Sequence, residues 1–192
     1  MDSAATGRAE VTGHWSADGE TLTGDDFTAL MTAGTYINAH SEANAPGELR
    51  GQVLPNGYEL VLTPLEGGQE VPAITTTASG TAATTLQAST GWMRVHVNTM
   101  GVDDASAAHV HEALAGANGD VLVGLEQDAS DVTHWSVDTM LDAAQLAAVQ
   151  AGQTYVNVHT PANAGGELRG QIAPDGVWVI FTNIKGDQSV PP

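Results

Sequence analysis

The sequence predicts an all-β fold, an antiparallel Greek-key or immunoglobulin-like β-sandwich with one short helix per repeat unit. Three observations predict it. Short runs alternate apolar and polar residues between turn-forming Gly, Pro, Asn and Asp; helical periodicity is confined to two brief stretches; and one hairpin pattern occurs twice. That hairpin runs from Tyr155-Val156-Asn157-Val158-His159-Thr160 to Gly166-Glu167-Leu168-Arg169-Gly170-Gln171-Ile172. Its near-copy, Tyr36-Ile37-Asn38-Ala39-His40 to Gly47-Glu48-Leu49-Arg50-Gly51-Gln52-Val53, lies 119 positions earlier. Placing Glu167 opposite His159 sets Arg169 against Asn157 and Gln171 against Tyr155. One face is then polar, and Val156, Val158, Leu168 and Ile172 turn toward a core. A slip by one residue mixes the two faces, so the pattern selects the first register.

In chain order, Val11-Thr12-Gly13-His14-Trp15-Ser16 precedes a helix expected within Leu22–Gly34. Thr23 and Asp26 form an approximate capping box at its start, and Gly34 is its stop. After the first hairpin, Pro55-Asn56-Gly57 turns the chain into a strand over Tyr58–Thr63, followed by Gly67-Gly68-Gln69-Glu70-Val71-Pro72. Ala78–Leu86 is a Thr- and Ala-rich strand. Trp92–Asn98 alternates, with Met93, Val95 and Val97 on one face and Arg94, His96 and Asn98 on the other. Ala108-His109-Val110-His111 alternates too, and Val121–Leu125 follows a Gly-rich turn. The repeat then resumes with Val132-Thr133-His134-Trp135-Ser136, a helix within Leu141–Gly152, and the second hairpin. The turn Pro174-Asp175-Gly176 and a strand over Val177–Thr182 follow, and Gly186–Pro191 echoes the earlier Gly67–Pro72. The four tryptophans, Trp15, Trp92, Trp135 and Trp178, are expected in the core or on a sheet face.

Residues 1–73 thus match 120–192, and residues 74–119 occur once. The expected organisation is the C-terminal half of a repeat over 1–57, a complete domain over 58–174, and the opening strand of a further repeat over 175–192. A partial β unit exposes unpaired edges, so a homo-oligomer or filament through strand exchange is expected, with the last segment as donor.

Composition narrows the partners. The 192 residues hold 23 acidic and five basic side chains, a formal charge of −18, and Lys185 is the only lysine. Nucleic-acid binding needs clustered Lys and Arg, so it is excluded; an acidic, hydrated surface with an affinity for cations is what remains. With no cysteine there are no disulfides and no thiolate metal sites. Neither a basic, apolar leader nor a membrane-length apolar run is found, so the chain reads as a soluble, mature-like or trimmed form with no membrane insertion. No P-loop, dinucleotide fingerprint, nucleophile elbow or EF-hand spacing occurs, although Asp103, Asp104, Asp120, Asp128 and Asp131 lie near turns.

Gln69-Glu70-Val71-Pro72, Ala108-His109-Val110-His111, the Tyr155–Thr160 block and Gly166-Glu167-Leu168-Arg169-Gly170-Gln171 together resemble the CHRD domain, first named in chordin. The resemblance covers 58–174 in motif order, and the later motifs again in 1–54. It implies a β-sandwich and an extracellular or cell-surface setting, and no particular activity. The N-terminal copy departs from the family pattern in lacking its own His-Val-His segment.

His109 and His111 are one residue apart on a strand and project from the same face, so they can offer two imidazoles to one ion. His159 is the expected third ligand. Neutral imidazoles suit copper or zinc, copper being bound more tightly. Glu167 is expected to accept the other ring N–H of His159 as an outer partner, with Asn157 and Arg169 beside it. Arg169 is expected to pair with Glu167 or to bridge carbonyls, as is Arg50 in the first copy. His96 and His40 are possible additional ligands, whereas His14 and His134, each before a tryptophan, read as packing residues. The His109-Val110-His111-Glu112 run is also similar to the copper side of Cu/Zn superoxide dismutases, without their bridging histidine, zinc loop or cysteine pair. The functional expectation is a non-enzymatic module that binds a metal ion, copper first. A copper-dependent redox enzyme and a metal-free adhesion or matrix domain are the alternatives.

Overall fold

Residues that alternate apolar and polar form strands because a pleated chain can bury one face and solvate the other. A computed structural model of the chain describes residues 21–180. The chain divides into two compact units at the Pro55–Asn56 peptide.

The N-terminal unit contains a helix α1 (Gly24–Met31) and a two-stranded hairpin of β1 (Tyr36–Ala39) and β2 (Leu49–Gln52). Thr23 caps α1 through its side chain, and Asp26 returns the bond to the Thr23 backbone, completing the capping box. The helix stop differs from the expected one. Ala33, not Gly34, takes the left-handed conformation (φ 54°), and the Gly34 N–H donates to the Ala29 carbonyl at 2.7 Å. One repeat later the same place is filled by Gly152 (φ 67°), which adopts that conformation without steric cost.

The C-terminal unit contains β3 (Glu59–Leu65), a 3-10 turn (Gly67–Gln69), β4 (Ser79–Gln87), β5 (Trp92–Met100), β6 (Ala107–Glu112), β7 (Asp120–Gln127) and β8 (His134–Met140). A helix α2 (Ala143–Gln150), β9 (Thr154–His159) and β10 (Leu168–Ile172) complete it. The eight strands form one antiparallel sheet in the order β10-β9-β6-β7-β8-β5-β4-β3. Its ends nearly meet. Glu66 and Arg169 exchange backbone hydrogen bonds of 3.0 and 3.2 Å, tying the end of β3 to β10.

The sheet curls around a core of Leu65, Leu86, Met93, Val95, Val97, Val110, Trp135, Val149, Val156, Val158, Leu168 and Ile172. Each large aliphatic side chain removed from water contributes about 1.5–3 kcal/mol, so the alternation is well enforced. Met93, Val95 and Val97 face inward as expected. The hairpin register is the expected one as well, with Arg169 opposite Asn157 and Gln171 opposite Tyr155.

Three expectations need correction. β8 is a strand beyond those predicted, and it completes the sheet between β7 and β5. Residues 177–180 have no regular structure, and the rest of the strand expected over Val177–Thr182 lies outside the described residues, as does the Gly186–Pro191 echo. Trp178 is 88 % exposed rather than packed. Trp135 is in the core, whereas Trp92 lies on a sheet face, bonding Asp138 Oδ1 through its indole N–H at 2.6 Å and meeting Tyr58 edge-on. Trp15 and His14 lie outside the described residues.

Candidate metal centre

Two adjacent antiparallel strands with alternating polar residues present a patch of side chains on one face, and β6 and β9 do this with histidines. The register pairs His109 with Asn157 and His111 with Tyr155, and Ala107 with His159. Val110, Val156 and Val158 turn inward from the same strands, so the three imidazoles emerge together on the outer side. A β-bulge in the β6–β7 pairing falls between Val110 and His111, a feature that re-aims side chains locally.

Each of His109, His111 and His159 offers a ring nitrogen such that the three atoms lie within 4.8 Å of one another. His109 Nδ1 is 3.0 Å from His159 Nε2. His111 Nδ1 donates to the Gly119 carbonyl at 3.0 Å, and His159 Nδ1 donates to the Ala164 carbonyl at 3.1 Å. A carbonyl only accepts, so each of these contacts assigns the ring proton to Nδ1 and leaves Nε2 as an electron pair. His111 Nε2 is buried without a hydrogen-bond partner. A buried orphan of this kind is uncommon in folded proteins and points to a ligand-accepting role.

Electrostatics agree with neutral rings. Burial pushes the His111 and His159 imidazoles below the ordinary histidine range. The accepting carbonyls oppose this, and the neighbouring imidazoles reinforce it. A neutral imidazole is the form that a metal takes.

The surroundings make the geometry rigid. The His111 ring stacks on Tyr155 (centroids 5.0 Å, planes 8° apart), and the Arg169 guanidinium lies over the Tyr155 ring at 3.5 Å. Arg169 is buried and donates to Asn118 Oδ1 (3.1 Å) and to the carbonyls of Ala117 (2.8 Å) and Leu114 (3.4 Å). Gln171 Nε2 donates to the carbonyls of Ala113 and Gly152, both at 2.8 Å. These bonds clamp residues 113–119 over the polar face of the hairpin. They also position Gly119, whose place tolerates no side chain because a Cβ would fall 1.8 Å from the Glu112 carbonyl oxygen.

The expected outer residues are thus distributed differently from the sequence reading. Glu167 is corrected: its carboxylate accepts from Thr160 Oγ1 (2.7 Å), Asn163 Nδ2 (3.1 Å) and Thr76 Oγ1 (2.8 Å), and the His159 N–H goes to Ala164 instead. The Thr160 bond leads in holding the Glu167 carboxyl below its usual range. The hairpin loop folds back and brings the Ala164 carbonyl to the ring first, which strand register alone does not reveal. Of the two roles expected for Arg169, it bridges carbonyls. Asn157 donates to the Gly165 carbonyl at 3.4 Å.

Neither additional histidine joins the three. His96 meets His134 (Nδ1 to Nε2, 3.0 Å) on β5 and β8, so His134 is more than a packing residue. His40 donates from Nδ1 to the Ala45 carbonyl at 2.8 Å, repeating the His159–Ala164 contact in the N-terminal unit. It is the only histidine among that unit's described residues. Tyr155 and Gly119 are contributors that the sequence reading passed over; the stacking partner was marked only by the repeated Tyr, and the carbonyl by a Gly-rich turn.

No helix among the described residues is long and apolar enough to cross a membrane. No curated protein and no solved structure shows significant similarity to the chain. The model of the CHRD domain matches residues 2–53 and again 61–172, and the second match spans His109, His111 and His159. The chain belongs to the CHRD domain family.

Proposed function

We propose that the chain is a non-enzymatic β-module of the extracellular space or cell surface that binds a transition metal, copper in preference to zinc, through His109, His111 and His159. The observation that carries this reading is the convergence of three ring nitrogens within 4.8 Å, with two rings tied back to backbone carbonyls. Imidazole donors rank copper above the other first-row divalent ions. Here backbone carbonyls serve as the outer partners that carboxylates often supply. Membership of the CHRD family and the acidic composition support the extracellular setting. Equilibrium dialysis with Cu²⁺ and with Zn²⁺ tests the site. A tightly held equivalent should vanish in the His109→Ala, His111→Ala double variant; an unchanged tight equivalent removes the proposal.

Three nitrogens leave coordination positions open to a small ligand, which supports a copper redox enzyme as the second reading. A superoxide assay on copper-loaded protein decides it, and a rate no higher than buffer dismisses catalysis. Should neither metal bind, the metal-free adhesion domain is the reading left.

The repeat phase supports a further element of the proposal, assembly with like units. The repeat boundaries are read at 57/58 and 174/175, and the return of β9 beside β6 supports the Greek-key form. Leu49 is 63 % exposed in the N-terminal hairpin, whereas its counterpart Leu168 is fully buried. A homo-oligomer or filament in which residues 175–192 of another copy cover that hairpin would bury such side chains. Size-exclusion chromatography should show species larger than a monomer that a truncation ending at Asp175 abolishes. A clean monomer at high concentration overturns this part.

A further inference from the structure

We propose a second metal site, separate from the triad, formed by His96 and His134 on the outer face of the β5–β8 ladder and taking Zn²⁺ or Cu²⁺. Alternation places both rings there, since Val95, Val97 and Trp135 from the same strands are in the core. The two rings are nearly parallel (13°), and His96 Nδ1 faces His134 Nε2 at 3.0 Å, the same separation as between His109 and His159 in the triad. A tetrahedral zinc with bonds of about 2.0–2.1 Å holds two nitrogens about 3.3 Å apart, close to the separation seen here, and the rings turn to aim both nitrogens at the ion.

The outer arrangement also suits a ligand. Asp128 Oδ2 stands 3.6 Å from His134 Nδ1, the nitrogen turned away from His96. Its other oxygen is held by Ser130 N–H and Oγ–H at 2.8 and 2.7 Å, and the Asp128 N–H donates to the His134 carbonyl at 2.9 Å. The carboxylate is therefore held in place behind the His134 ring, on the side away from His96. A carboxylate behind a ligating histidine is a recurrent metal-site feature. Without metal, His96 Nδ1 and His134 Nε2 share one proton in their 3.0 Å contact. On binding, each ring carries its proton on the nitrogen turned away from the other ring, and both facing nitrogens ligate. Two imidazoles with water completing the shell hold the ion more weakly than three.

Zinc titration of the full chain, followed calorimetrically, tests this independently of the triad. Two equivalents are expected, one tight and one weaker. His96→Ala and His134→Ala should each abolish the weaker equivalent and spare the tight one, and Asp128→Asn should weaken it about tenfold or more. If the triad binds nothing, a single equivalent lost in His96→Ala still supports the pair. A single equivalent lost only in the His109→Ala, His111→Ala variant, or a second one that survives both His96→Ala and His134→Ala, overturns it.

Discussion

Tyr155 and its counterpart one repeat earlier, Tyr36, each lie under an arginine guanidinium, at 3.5 and 3.7 Å, yet Tyr155 is 1 % exposed and Tyr36 is 50 % exposed. The local hairpin geometry is the same in both copies. What differs is the cover: in the C-terminal unit residues 113–119 lie across the polar face, bonded to Arg169 and Gln171.

Two matched variants should therefore diverge. Arg169→Met removes a buried guanidinium and its half-buried bonds to the Ala117 carbonyl and Asn118 Oδ1, at about 0.5–1.5 kcal/mol for each bond lost. Arg50→Met, exposed, should change stability by no more than about 0.5 kcal/mol. Chemical denaturation measures both, and equal effects would contradict the role given to the cover.

Metal retention should extend to lower pH than ordinary histidines allow. Burial lowers the folded-state affinity of His111 and His159 for protons. Competition should therefore set in only below about 6.5, the usual histidine value. The metal-free protein follows the same sign: as pH falls from about 6.5, the unfolded chain takes up protons that the folded one refuses, and stability drops. A titration from pH 8 to pH 4 whose binding midpoint lies at or above 6.5 would count against the lowered proton affinity of His111 and His159.

Glu70 works in the opposite sense. Burial raises its carboxyl to about 7, with the Arg169 charge opposing. Its Oε1 and Asn157 Oδ1 are both buried without partners, and both face the space beside Gly166, where a Cβ would fall within 2.5 Å of each. A proton on Glu70 supplies the donor that the two oxygens lack. The folded state holds this proton more firmly than the unfolded one, so its contribution is present at low pH and is lost as pH rises through about 7. Glu70→Gln, which carries its own donor, should be more stable than the parent at pH 8, by roughly 1–2 kcal/mol, with the gain shrinking toward pH 5. A pH-independent difference between the two proteins would disprove the assignment.

The two helix ends offer a reciprocal pair. Ala33→Gly relieves a left-handed alanine and should raise stability of the N-terminal unit by about 0.5–1 kcal/mol. Gly152→Ala imposes that strain and brings a Cβ 2.5 Å from Val177 Cγ1, so it should cost about 1–3 kcal/mol. Thermal melts of both variants give the comparison, and a stabilised Gly152→Ala would refute it.

Much of the centre was legible beforehand because strand alternation has a period of two. His109, His111 and the inward valines between them follow from spacing alone, as does the register that sets Arg169 against Asn157. The partners of Nδ1 were not legible. The Ala164 and Gly119 carbonyls belong to loops, and no side-chain pattern encodes which backbone oxygen a folded loop turns toward a ring. For the same reason Glu167, placed by register near His159, was assigned to the wrong neighbour.

The chain's sequence by itself determined an antiparallel all-β architecture, a 119-residue repeat, an acidic surface and which histidines share a strand face, since all of these depend on local periodicity or composition. Tertiary structure alone decided that β9 lies beside β6, so that His159 joins His109 and His111, and that β8 lies beside β5, so that His134 meets His96. Strand order arises from burying one common core against distant segments, and periodicity within a strand carries no information about which strand becomes its neighbour.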